Sequence, residues 1–214
     1  MSALAQANGQ GPSEDPAVRQ KAARLILPFL NQVRVRPGEV YDLPPGTVHA
    51  IGRGVRIFEI QASSDTTYRV WDWNRPDPKK LKEGKRQFRE LHLERARDVL
   101  DFHALPPEHY RRASRKLPAS VQGAALEELL VREADGRFAA SRLRFDAAGA
   151  AITLAAGFSV LTAVAGSAVV QAGGARESLS CGQSVLIPAA APAAVVRCEQ
   201  APCEVVRSFV PERI

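Results

Sequence analysis

Apolar and small residues between Val121 and Val210 gather in short β-branched runs parted by glycine and proline, the pattern of strands rather than of helices. This predicts strands at Ala139 to Phe145, Phe158 to Val164, Ala168 to Gln171, Ser184 to Ile187, Ala194 to Cys198 and Glu204 to Phe209. No residue from Ala147 to Ala175 is charged, a length that could cross a bilayer. Gly157, Gly166 and Gly173-Gly174 punctuate it at turn-like spacing, however, which predicts buried strands instead. A second β-rich block is expected from Val33 to Trp73, where Arg36-Pro-Gly38, Pro44-Pro-Gly46 and Gly52-Arg-Gly54 separate the apolar runs.

Helical spacing is confined to two places. Ser13-Glu-Asp-Pro16 offers capping residues ahead of Val18, Ala22, Leu25 and Ile26, predicting a helix that runs to about Pro28 after a polar, disordered first dozen residues. Leu93, Ala96, Val99 and Leu100 predict one short helix. Before it, Asn74 to Phe88 reads as a long exposed loop, and after it Pro106 to Pro118 reads as an irregular connection.

Composition changes this picture little. The 214 residues are 45% hydrophobic and 24% charged, ordinary for a globular chain of one large or two small domains. The net charge of +6 is concentrated between Arg75 and Lys116, where Lys79, Lys80, Lys82, Lys85, Arg86 and Arg89 alternate with Glu83 and Glu90. No nucleic-acid motif accompanies them, so the run reads as a solvated loop. Cys181, Cys198 and Cys203 lack C-x-x-C spacing and are expected to be reduced, mostly packed thiols. With no basic-then-apolar start, the expected address is cytoplasmic, without a membrane partner.

One segment carries chemistry. Gly38-Glu-Val-Tyr-Asp-Leu-Pro44-Pro-Gly46-Thr-Val-His49 fits the second cupin signature, G-x5-P-x-G-x2-H. The glycines permit the turn and the corner, the proline fixes the rim, and the following strand would aim His49 into the mouth of a jelly-roll barrel, where an imidazole can bind metal. His92, His103 and His109 have no such context. Glu59, Asp65 and Arg69 are charged residues in apolar, β-prone surroundings and need partners or a polar cavity; an ion pair between Arg69 and Glu59 or Asp65 would be one solution.

The run from Pro44 to Gln61, then Ser63-Ser-Asp-Thr-Thr-Tyr-Arg-Val-Trp-Asp-Trp73 and Arg89-Glu-Leu-His-Leu-Glu-Arg-Ala-Arg-Asp-Val-Leu100, closely resembles type I mannose-6-phosphate isomerases. The later β block resembles that family's C-terminal cupin-like domain more weakly. The resemblance implies a zinc-dependent aldose-ketose isomerase interconverting mannose 6-phosphate and fructose 6-phosphate. His49 matches the family's last zinc ligand and Arg69 its catalytic arginine. Glu59 and Asp65 match acidic residues of the active-site region, the first assigned here to proton transfer and the second to substrate binding.

The expected fold is mainly β: two cupin-like jelly-roll modules, the first incomplete, with a short helical linker. Its parts are a tail and helix over 1–31, the C-terminal half of a catalytic module with linker over 32–117, and an accessory barrel over 118–214. Gly182-Gln-Ser-Val-Leu-Ile-Pro188 repeats half of the signature in that barrel, but Ala190 and Ala193 stand where glycine and histidine would. The family's other three zinc ligands, a Gln-x-His pair and a Glu, have no counterpart in this chain. A start chosen too late, a lineage that has shed catalysis, and a partner chain completing the half-site all accommodate that departure. The rival reading is a non-catalytic cupin module that binds sugar phosphate or a protein.

Overall fold

The computed structural model describes residues 21, 24–64, 66–73, 75–85, 87–103, 105–133 and 136–211. They fall into two units. One comprises Met1–Glu39, Leu43–Ile57 and Ser63–Tyr110, the other Val40–Asp42, Phe58–Ala62 and Arg111–Ile214.

Every strand of the described residues lies in the second unit: β1 (Val40–Tyr41), β2 (Arg111–Arg112), β3 (Arg115–Lys116), β4 (Ser120–Gln122), β5 (Ala125–Arg132), β6 (Ala139–Phe145), β7 (Ala151–Leu154), β8 (Ser159–Ala172), β9 (Ala175–Ser180), β10 (Ser184–Ile187) and β11 (Ala194–Phe209). β1 pairs only with β2, and the rest form one antiparallel sheet. Its spine is the pairing of β8 with β11, both long enough to serve two sets of neighbours. The start of β8 and the end of β11 lie between β10 and β6, with β5 and β3 beyond; the other ends lie between β9 and β7, with β4 outermost. Every strand expected between Ala139 and Phe209 is present. The two halves expected as Phe158 to Val164 and Ala168 to Gln171 are one strand, as are the two expected within β11.

Strand alternation fills the interior with Leu143, Phe145, Ile152, Leu154, Leu161, Leu179, Val196 and Val205, all buried. Into the same side of the sheet β5, β6, β8 and β11 also send Glu127, Ser141, Ser159 and Arg207. Ser141 Oγ donates to Glu127 Oε1 (2.7 Å), Arg207 Nη1 reaches the same oxygen (3.3 Å), and Arg207 Nε donates to Ser159 Oγ (3.1 Å). The guanidinium lies over the Phe209 ring at 4.2 Å. Buried charges persist when paired and hydrogen-bonded, as here. The apolar pattern of the strands gave no sign of this polar core.

On the other face, Glu128 accepts hydrogen bonds from Ser114 Oγ (2.9 Å) and from Arg142 Nε and Nη2 (3.2 and 3.0 Å). Burial raises its carboxyl pKa, but those bonds and the Arg142 and Arg144 charges together outweigh burial and hold it below the usual value.

The first unit departs from expectation. Among the described residues between Val33 and Trp73 only Val40–Tyr41 is strand, and those two residues belong to the other unit. The remainder of the expected β block, as far as it is described, is turns and irregular chain, and its described main-chain hydrogen bonds between residues 43 and 60 are local turns, Thr47 N–H to Pro44 O and Val55 N–H to Gly52 O, and the bond that Gly46 O accepts from Asp101 N–H. A strand exists only where a neighbour takes up its ladder bonds, and no described segment runs beside this one. Val48, Ile51, Val55 and Ile57 consequently stay 37 to 49% exposed.

Three short helices lie among the described residues after Trp73. The expected one is α2 (Leu93–Val99), which buries Ala96; α3 (Pro107–Tyr110) follows it. The expected loop from Asn74 to Phe88 instead contains α1 (Pro78–Lys82), because Asp77 Oδ1 caps Lys79 N–H (2.8 Å) and Pro78 pre-sets the first turn. Of the N-terminal helix, the described part runs through Ile26 into a 3-10 turn at Leu27–Phe29; Val18 and Ala22 lie outside the described residues. No described helix is long and apolar enough to cross a membrane.

Two outcomes follow from these environments. Glu128→Gln should lower stability near pH 7 by about 1 to 2 kcal/mol, the worth of charge-assisted hydrogen bonds. Since a lowered folded pKa stabilises above the unfolded value and is lost below it, that deficit should shrink as pH falls from 4.5 downward in parallel urea titrations. Cys181 is exposed, whereas Cys198 and Cys203 are buried. Burial first, then the neighbouring Cys198, pushes the Cys203 thiol up to about 12, and burial also raises Cys198. Ellman's reagent should therefore titrate one thiol per folded chain and three after unfolding.

Candidate functional site

The corner that precedes His49 is set by backbone chemistry. Gly46 has φ of +90°, and a Cβ there would come within 2.7 Å of Val99 O and 3.2 Å of Asp101 N. Glycine is required twice over, by conformation and by space. Asp101 N–H donates to Gly46 O (3.1 Å), fixing the corner to the end of α2. Three residues on, His49 Nδ1 lies 2.8 Å from Thr47 O. A carbonyl only accepts, so Nδ1 carries a proton, and in the neutral ring Nε2 then keeps its lone pair on an exposed face. That is the tautomer a metal ligand needs, with a carbonyl orienting the imidazole from behind.

The rest of a metal site is missing from the described residues, where no three His, Cys, Asp or Glu side chains gather closely enough to hold an ion. The residues described thus fit one zinc ligand and not a zinc centre.

Arg69 sits in a different frame. Residues 69–77 and 87–92 run beside each other, laced at several points. Arg69 N–H donates to His92 Nδ1 (3.0 Å), and His92 N–H returns a bond to Arg69 O (2.8 Å). Arg69 Nη1 donates to Glu90 O (3.1 Å). Arg89 grips Asp72 with two bonds, Nε to Oδ2 (2.7 Å) and Nη2 to Oδ1 (2.6 Å). Further along, Pro76 bridges Phe88 and Asp77 N–H donates to Gln87 O (2.7 Å). Trp71 and Trp73 stack at 4.4 Å, and Trp71 packs beneath with Leu25, Ile26 and Leu30. Trp73 has a φ of 54°, a conformation that a bulky residue adopts only when its surroundings impose it.

His49 and Arg69 belong to one unit, with no hydrogen bond between them among those described; Glu59 is exposed and belongs to the other unit. Asp65 lies outside the described residues. The ion pair considered between Arg69 and Glu59 is absent from the described pairs, and the guanidinium is held instead by a main-chain carbonyl. Sequence reasoning missed His92, which it set aside for want of context. Its contact with Arg69 spans 23 residues and leaves no periodic trace. The one signal was its place immediately before α2, two residues after Glu90 in the segment already matched to the isomerases.

No family profile matches the chain. Among curated proteins, mannose-6-phosphate isomerase ManA of Bacillus subtilis is 45% identical over 81 residues, 38% of this chain and 24% of that protein. Mannose-6-phosphate isomerase of Streptococcus mutans is 46% identical over 72 residues, 34% of this chain and 21% of its own length. The chain thus spans less than a quarter of the curated relatives it matches. Among solved structures, the mannose 6-phosphate isomerase of Bacillus subtilis superposes with a TM-score of 0.51 at 18% identity, covering 69% of this chain and 41% of that one. That likeness shows a shared mainly β, cupin-like fold. Taken with the identity of the shorter segment, it leaves the chain similar to mannose-6-phosphate isomerases over part of its length.

Proposed function

We propose that this chain carries part of the active site of a mannose-6-phosphate isomerase, with Arg69 as its catalytic cation. The carrying observation is the 81-residue stretch 45% identical to ManA, and beside it Arg69 is held at backbone and guanidinium together. The substrate in this reading is a phosphorylated hexose. Isomerisation moves one proton between C2 and C1 and a second between the oxygens those carbons carry, while the carbonyl shifts the other way, with no net oxidation. In this role the Arg69 guanidinium stabilises the negative charge of the enediolate that exists after the proton has left one carbon and before it reaches the other. Asp65 orients sugar hydroxyls.

The family's zinc would need ligands beyond His49, so no step is assigned to metal here. A β-rich partner segment that completes the half-site is part of the reading. It is supported by the 48–57 stretch, whose Val48, Ile51, Val55 and Ile57 are apolar side chains left exposed.

In a coupled assay with mannose 6-phosphate and added zinc, a preparation with the half-site completed should show isomerase activity, and Arg69→Ala should lower kcat by about a hundredfold or more, the usual loss for a transition-state charge partner. Absence of activity at every metal concentration, in the presence of the completing segment, would leave the non-catalytic reading instead. The 214-residue chain alone should lose zinc on dialysis against a chelator and melt at the same temperature before and after, because one imidazole binds metal weakly. Retention of about one zinc per chain, abolished by His49→Ala, would place further ligands among residues not assigned here.

A further inference from the structure

We infer that His92 is the positioning residue of Arg69, acting as a neutral hydrogen-bond acceptor and not as an acid, base or metal ligand. The inference rests on the isomerase reading for what Arg69 does and on the geometry alone for how Arg69 is held.

Arg69 stands in irregular backbone, with no strand partner among the described residues to fix its φ and ψ. The His92 residue supplies that fixing from both sides. Its ring Nδ1 accepts the Arg69 N–H and its own N–H donates to the Arg69 carbonyl, so the peptide groups before and after the Arg69 Cα are both tied to one residue. A backbone N–H can only donate. Nδ1 must then present its lone pair, which puts the ring proton on Nε2 and makes the imidazole neutral. A protonated ring would set N–H against N–H and open the clamp.

His92 is itself held. Its carbonyl accepts from Ala96 N–H (2.8 Å), which makes it the first residue of the α2 ladder, and Ala96 is buried beneath. Tyr68 meets the imidazole edge-on at 6.1 Å. The position of Arg69 is thereby referred to a helix rather than to a loop, the condition for placing a charge within the tolerance that catalysis needs. The third tether, Arg69 Nη1 to Glu90 O, comes from the same 90–92 stretch and aims the guanidinium. A guanidinium has five N–H donors, and one is used there, so donors remain for an anionic ligand. Holding the long side chain in advance removes part of the rotamer entropy it would otherwise lose on engaging that ligand.

The test uses the full 214-residue chain. Long-range proton-nitrogen spectra at pH 8 should show His92 protonated at Nε2, with Nδ1 carrying the shift of an unprotonated acceptor. His92→Asn places an amide oxygen near the position of Nδ1 and should keep the Arg69 amide protected from hydrogen exchange. His92→Phe keeps a ring against Tyr68 but has no acceptor, and should exchange the Arg69 amide at least about tenfold faster, the effect of losing one neutral hydrogen bond. Melting curves check that both variants fold. In whichever preparation is an active isomerase, His92→Phe should lower kcat about ten- to a hundredfold with KM within about twofold, and His92→Asn should recover most of it.

A ring proton found on Nδ1, or Arg69 exchange as slow in folded His92→Phe as in the parent, overturns the inference. If the parent chain shows the Nε2 tautomer and a protected Arg69 amide but no preparation isomerises the sugar, the isomerase reading has failed while the clamp stands.

Discussion

The pairing of β8 with β11 is the constraint on which the larger unit depends. Each strand is the neighbour of two others, at one end in one half of the sheet and at the other end in the second half. Neither can therefore bend without the other. The bend is at Gly166, whose φ is +64° and where a Cβ would collide with the carbonyl oxygens of Gln200 and Pro202 and approach Cys203 Cα at 2.9 Å. β11 answers with extra residues: between Cys198 and Glu204 it advances six positions, while β8 goes from Ala168 back only to Ala165. The added turn of chain lets one strand pass from one set of partners to the next, as bulges do in curled sheets. Alanines at 163 and 168, both fully buried, leave room for the backbones to close on each other there.

No comparable spine organises the smaller unit, and its order has a different physical origin. Where the sheet relies on ladder bonds and apolar burial, the segments 69–77 and 87–92 rely on specific polar contacts: the His92 clamp, the two-pronged Arg89 and Asp72 pair, and the cap that Asp77 provides for α1. The Asp72 side chain is only 12% exposed, so its bond to Arg89 is worth more than a surface ion pair, and leaving either charge unpaired would be costly. Such contacts hold a short frame rigidly without needing a large core. They do nothing for the 48–57 stretch, which keeps its apolar side chains outward and its main chain unladdered.

This division decides what could be read from the sequence. Strand alternation around a shared core is a local pattern, and β6 and β10 are found at the bounds their residues predict. The cap-forming Asp77-Pro78 pair is just as local, yet it was overridden by the density of lysines, which reads as loop. β5 escaped notice because Glu127 and Glu128 interrupt its apolar run. Each finds arginines only through residues far along the chain, Arg207 and Arg142 respectively. For the same reason the cupin-like corner at Gly46 and His49 was legible and the Arg69 frame was not. A glycine corner is written in six consecutive residues, whereas the clamp joins positions 69 and 92 through a ring nitrogen and has no spacing rule. The β block expected before Trp73 failed for the complementary reason: residue types favour a strand, but only a neighbour makes one.

The same reasoning separates what local chemistry preserves from what it cannot supply. His49 keeps a proton on Nδ1 because the acceptor, Thr47 O, is two residues away. Arg69 keeps its posture because α2 begins at His92. Neither support involves Val48, Ile51, Val55 or Ile57, which stay exposed. Local hydrogen bonds thus fix the posture of single side chains, whereas bringing several to one point takes packing between segments far apart in the chain. Exposed apolar area beside unladdered backbone marks where such packing is lacking among the described residues, and burial with ladder bonds would remove both together.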